Sequence, residues 1–206
     1  MKNYHILLIA SAFTIFFSCK SNLPQQKNAI QVQAHRGDRG YFPENTLPAF
    51  YSAIDKGADV IELDLVISKD KKVVVSHDTF MHSAYISWPN GNPVTKDEEK
   101  KSNLYQMKYD SIRSFDAGFR TNPAFPDQKS VKTYKPLLSE MIDSIENYIV
   151  KNNKQRIRYN IESNRVREIT ESSNLNLKNL WIWFYKSSKK RKLRSIATCS
   201  LLTQIF

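Results

Sequence analysis

At 206 residues, with 41% hydrophobic and 25% charged side chains, the chain can bury a real core in one domain of ordinary size and is not a disordered polymer. Its net charge of +11 is uneven, because nine Lys and Arg against two Glu fall in residues 163–206. The body is therefore only mildly basic, and nucleic acid is not the expected partner. Cys19 and Cys199 supply neither a disulfide framework nor a cysteine-based zinc site.

The chain opens on a targeting segment. Lys2 precedes an apolar run from Ile6 to Phe17, too short to span a bilayer comfortably, so residues 1–18 read as a signal peptide. Ser18-Cys19 resembles a bacterial lipobox, with the bulky Phe16 and Phe17 in its flank, and makes Cys19 the expected lipidation site. Residues 19–29, polar and rich in Gln and Asn, then read as a tether. Plain secretion with cleavage nearby is the alternative. The expected location is the bacterial cell envelope, on the membrane through the N-terminal lipid and facing the periplasm or the surface.

A short strand, "AIQVQAHRG", stops at Arg36-Gly37. Leu47, Phe50, Tyr51 and Ile54 then fall on one helical face, with Asn45 or Thr46 as the cap and Gly57 as the stop. "DVIELDLVI" alternates as a strand, with Glu62 and Asp64 on one side and Ile61, Leu63, Leu65 and Ile67 on the other. After a polar turn, "VVVSHD" is a third strand ending at His77-Asp78. Residues 79–135 form a long polar stretch, better read as a functional or capping insertion than as a plain link. "PLLSEMIDSIENYIV" restores a helical stripe, and "IRYNIES" is a fourth strand ending near Glu162.

This order predicts an α/β fold with parallel strands. His35-Arg36, Glu62 with Asp64, His77-Asp78 and Glu162 then lie at the carboxyl ends of successive strands, the face on which such folds build their sites. Two carboxylates two residues apart on a strand repel unless protonated or bridged by a cation. All-oxygen ligation suits Mg2+ or Ca2+, and Glu162 offers a third carboxylate. The bland alternative is an exposed edge strand with solvated charges. Two imidazoles provide an acid and a base, and a guanidinium can grip a phosphate oxygen with a forked pair of hydrogen bonds. Together they describe metal-assisted cleavage of a phosphoester.

The stretch "AHRGDRGYFPENTLPAFYSAIDKGADVIELDLVISKDKKVVVSHD" resembles the opening of the glycerophosphodiester phosphodiesterase family, in its H-R-G, P-E-N-T, E-x-D and H-D. The resemblance runs from about Val32 to Glu162. It implies a TIM-barrel hydrolase that releases sn-glycerol 3-phosphate and an alcohol from glycerophosphodiesters, in phospholipid and glycerol metabolism. It also implies His35 and His77 as the acid–base pair, Arg36 on the phosphate, and Glu62, Asp64 and Glu162 around one divalent cation. For Glu44 and Asn45 it implies site shaping and helix capping.

The likeness stops after "NIE", where Ser163-Asn164 stand in place of a hydrophobic residue and a Lys. A barrel of this type needs about 250 residues and eight strands. The expected organisation is thus a partial barrel over residues 30–162, its N-terminal half, followed by an atypical basic tail over 163–206. That tail reads as a frame-shifted extension or, alternatively, as a selected segment that binds an anionic membrane. Three roles stay open: an active phosphodiesterase, an inactive fragment of one, and a lipid-anchored binder of glycerophosphodiesters.

Overall fold

The strand that carries Glu62 and Asp64 lies inside the sheet and not at its edge. In the computed structural model, which describes residues 30–162 and 197–199, β1 (Gln33–Ala34) and β4 (Arg158–Glu162) both pair with β2 (Val60–Ile67) in parallel. Seven of the eight β2 residues are buried, so the reading of solvated charges on an edge strand fails. The signal peptide, Cys19, the tether and the remainder of the tail lie outside the described residues.

One expected strand runs the other way. β3 (Val73–Val75) pairs antiparallel with β2, Val75 opposite Leu65 and Val73 opposite Ile67. The cause is the connection: a parallel return needs a crossover of about a dozen residues or more, whereas residues 68–72 leave room only for a hairpin turn. Lys71 takes a positive φ of 61° within it. The hairpin carries the chain back beside Asp64, whose carbonyl accepts the Ser76 N–H at 3.0 Å. His77 therefore reaches the same region by a route that the strand order alone does not show.

A further strand, β5 (Ala197–Cys199), lies within the tail and pairs in parallel with β4. The four parallel strands thus run β1-β2-β4-β5.

Alternation divides β2 between two tasks. Ile61, Leu63, Leu65 and Ile67 pack against α1 (Leu47–Asp55) and α4 (Leu138–Lys151), with Phe50, Met141 and Ile145 fully buried among them. Each such side chain contributes about 1.5–3 kcal/mol on burial. Glu62 and Asp64 point the other way. Lys56 caps α1, Gly57 follows at φ 79°, and Thr46 begins the helix without a side-chain cap, its hydroxyl donating to the Pro43 carbonyl instead.

The insertion has its own core. It contains α2 (Lys96–Glu99), a 3-10 turn (Leu104–Gln106) and α3 (Tyr109–Ser114). Met81, Ile86, Leu104 and Ile112, all fully buried, pack with Val66 and Val74 on the hairpin. Its last segment then clasps the first loop. Gln128 Nε2 donates to the carbonyls of Arg39 and Phe42 at 3.0 Å each, and the Lys129 N–H donates to that of Tyr41. Among the described residues, no helix is long and apolar enough to cross a membrane.

Candidate active site

Parallel pairing brings the carboxylates together. Asp64 and Glu162 are directly opposed on β2 and β4, and Glu62 lies two residues back on the same face. Glu62, Asp64 and Glu162 each offer an oxygen within 4.8 Å of the other two. Glu62 is 1% exposed; its Oε2 accepts the Arg36 backbone N–H at 2.7 Å, and its buried Oε1 has no partner among the described residues. Burial, together with Asp64 and Glu162, pushes its carboxyl up to about 7 against the opposing pull of Arg36.

That arrangement fits a divalent cation. Two oxygens on opposite sides of a bound ion are about 4–5 Å apart, given ligand distances of about 2.0–2.6 Å. A buried carboxylate oxygen without a donor, next to two more carboxylates, is costly unless a proton or a cation meets it. Glu62, Asp64 and Glu162 would hold that ion, all through oxygen.

The first loop is bent by its backbone to deliver its groups. Arg36 and Asn45 both adopt φ 57°, which non-glycine residues rarely do and which marks a conformation imposed by the surroundings. Gly37 follows at φ 80°, where a Cβ would stand 2.8 Å from that of Ala49. The Arg36 guanidinium donates to Glu44 Oε1 at 3.0 Å and lies 3.1 Å from Asp64 Oδ2. The second contact is an ion pair without hydrogen-bond alignment, since Nε has no acceptor in line. Asn45 is a clamp and not a helix cap: its amide donates to Asp64 Oδ2 at 3.0 Å, and its carbonyl oxygen accepts the Asp64 N–H at 3.3 Å.

The two histidines are held in opposite senses. Arg39 Nη1 lies 3.1 Å from His35 Nδ1. A guanidinium can only donate, so Nδ1 accepts and the hydrogen of the neutral ring is on Nε2, 4.0 Å from Glu62 Oε2. Burial, then Arg36 and Arg39, lower the His35 pKa from its ordinary value. His77 Nδ1 lies 2.9 Å from Asp78 Oδ1. Burial resists ionisation of Asp78, but Lys135, His77 and the Tyr85 hydroxyl overcome it and lower its pKa. An ionised carboxylate only accepts, so Nδ1 of His77 carries a hydrogen, and in the neutral ring the lone pair is on Nε2. One ring donates and the other accepts, the division of labour an acid–base pair needs.

The structure thus gathers Glu62, Asp64, Glu162, Arg36 and His35, and brings Ser76, the residue before His77, onto the Asp64 carbonyl. It adds three residues that no spacing announced. Arg39 lies in the first loop, stacked 4.5 Å over the Phe125 ring of the insertion. Tyr85 is buried with its hydroxyl on Asp78 at 3.0 Å, and Lys135 is buried with its ammonium on Ser76. The last two sit in the insertion, whose polar sequence has no period to reveal them. A cavity of about 210 Å³ opens elsewhere, between Trp88, Phe115 and Tyr134, and touches none of these residues.

Comparison with known proteins identifies a family that this chain resembles. The model of the Glycerophosphoryl diester phosphodiesterase family matches residues 35–203. A glycerophosphodiester phosphodiesterase of Bacillus subtilis is 34% identical over 127 residues, covering 60% of this chain and 39% of that protein. One from Caldanaerobacter subterraneus is 35% identical over 104 residues, covering 50% and 37%. The crystal structure of a Silicibacter pomeroyi glycerophosphoryl diester phosphodiesterase homologue superposes with a TM-score of 0.59 at 27% identity, covering 70% of this chain and 49% of that one. The chain spans well under half the length of the curated relatives it matches. The parallel strands and their helices are part of a TIM-barrel fold.

Proposed function

The chain belongs to the glycerophosphoryl diester phosphodiesterase family, and from that membership we propose that it hydrolyses glycerophosphodiesters to sn-glycerol 3-phosphate and an alcohol. The observation that carries the proposal is the convergence of Glu62, Asp64 and Glu162 within 4.8 Å, beside an arginine and a histidine at the end of a parallel sheet. A cation there, Mg2+ or Ca2+, would withdraw charge from the phosphoryl oxygens. Arg36, oriented by Glu44 and Asp64, presents its fork to the same group. His35 and His77 move the protons: one takes a proton from the attacking oxygen as its bond to phosphorus forms, and the other returns one to the departing alcohol. Cys19, after the apolar run, is the proposed lipid attachment that would hold the protein on the cell envelope.

The test is release of glycerol 3-phosphate from glycerophosphocholine by the purified chain, with Mg2+, with Ca2+ and with chelator. Turnover that chelator abolishes is expected. Saturable binding of the diester without turnover would overturn hydrolysis and assign a binding protein instead, and a folded chain with no turnover and no binding would overturn both readings.

A further inference from the structure

Lys135 is the one buried lysine among the described residues, at 6% exposure. Its ammonium donates to Ser76 Oγ at 2.9 Å, and that hydroxyl donates in turn to the Asp78 carbonyl at 2.8 Å. Ser76 is itself fully buried and fixed at its N–H by the Asp64 carbonyl. The chain of contacts thus leads from Lys135 to the turn that holds the imidazole: Asp78 Oδ1 accepts from His77 and Oδ2 from Tyr85.

Packing alone gives no reason for an ammonium here. A methionine fills a similar volume without the desolvation penalty, and buried ions replaced by well-packed apolar residues are often neutral or stabilising exchanges. What the charge does is act on its neighbours. Burial pulls the Lys135 pKa down, and Asp78, Glu44 and Asp64 pull it up against Arg36. The attraction is mutual, and Lys135 is the strongest of the influences that keep Asp78 ionised.

We propose that Lys135 is the positioning residue for His77: its ammonium, linked through the Ser76 hydroxyl to the Asp78 main-chain carbonyl, holds the residue whose carboxylate fixes the imidazole tautomer and direction. The proposal rests on the reading of His77 as half of the acid–base pair, and its test has a readout independent of turnover.

The measurement is proton NMR of the full chain. The His77 Nδ1 proton, bonded to a buried carboxylate, is expected as a downfield, slowly exchanging resonance, assigned by its loss in Asp78→Asn. In Lys135→Met it should be lost or broadened while the near-UV circular dichroism stays that of the parent. kcat should fall by about 10- to 100-fold, the usual effect of removing a group that orients a reacting one, with KM little changed. Ser76→Ala removes the bridge but keeps the charge, and should weaken the resonance to a smaller extent. It serves as the deciding variant if Lys135→Met fails to fold.

A parent chain without the resonance would overturn the proposal. So would a folded Lys135→Met, or in its place Ser76→Ala, with resonance and kcat unchanged. If the parent shows no turnover at all, the hydrolase reading fails and the resonance alone decides the role of Lys135.

Discussion

Glu62 Oε2 accepts the backbone N–H of Arg36 at 2.7 Å. This contact ties the first loop to the second strand through main chain, while the other Glu62 oxygen stays buried without a partner among the described residues. One carboxylate thus positions the loop and is also the group most in need of a cation.

Glu62→Gln keeps an acceptor for Arg36 and removes the charge. Metal affinity should fall at least about 100-fold, since even partners behind the ligands are worth 10- to 100-fold. Isothermal titration calorimetry reads this directly. The metal-free variant should be as stable as the parent at pH 5 and more stable at pH 8. The sign follows from the raised pKa: the folded parent holds its Glu62 proton to about pH 7, the unfolded chain only to the ordinary value near 4.5. Stability of the metal-free parent therefore declines as pH rises across that window. A parent and variant with equal pH profiles would remove the basis for this assignment.

The same proton competes with the metal. Below pH 7 the ion must displace it, so the apparent affinity should weaken by about tenfold per pH unit as pH falls toward 5, and level off above 7. Titrations in buffers of different ionisation enthalpy should show about one proton released at pH 6 and fewer at pH 8. A pH-independent affinity would mean that Glu62 is not a ligand.

Arg39→Ala removes both the donor to His35 Nδ1 and a nearby positive charge. The His35 protonation midpoint should rise, and both neutral tautomers should become populated. Nitrogen-15 NMR of the imidazoles separates the two effects. An unchanged tautomer would show that the ring is set by something other than Arg39.

Gly37→Ala sets two faults against each other at one position: φ 80°, and a Cβ 2.8–3.0 Å from Ala49 atoms. A loss of about 1–3 kcal/mol is expected from overpacking and the unfavourable backbone. Urea denaturation measures it, and the partner change Ala49→Gly in the first turn of α1 should recover part of the steric component only.

What the sequence could reveal depended on whether a residue obeyed a period. Glu62, Asp64 and Glu162 lie on strands, where spacing of two fixes the face, and the parallel pairing predicted for α/β order then juxtaposes them. His77 was placed near them, but its route was not: strand order assumed a parallel β3, and the short turn at residues 68–72 made a hairpin. Of the two roles the sequence offers Asn45, capping and site shaping, its side chain takes the second, on Asp64. Lys135 and Tyr85 were illegible, because their positions come from an insertion whose core, around Met81, Ile86 and Ile112, is scattered through a polar sequence without alternation or helical stripe.

The central strand also sets a schedule for synthesis. β1, α1, β2 and the β3 hairpin leave the ribosome early, but the Val60–Asp64 edge that β4 completes must wait for the whole insertion and α4 to be made. Through that interval a buried-type strand has hydrogen-bonding groups with no mate, the condition in which chains pair with strangers. The insertion's core covers Val66 and Val74, at the other end of the strand pair, and leaves the Val60–Asp64 edge to β4 alone.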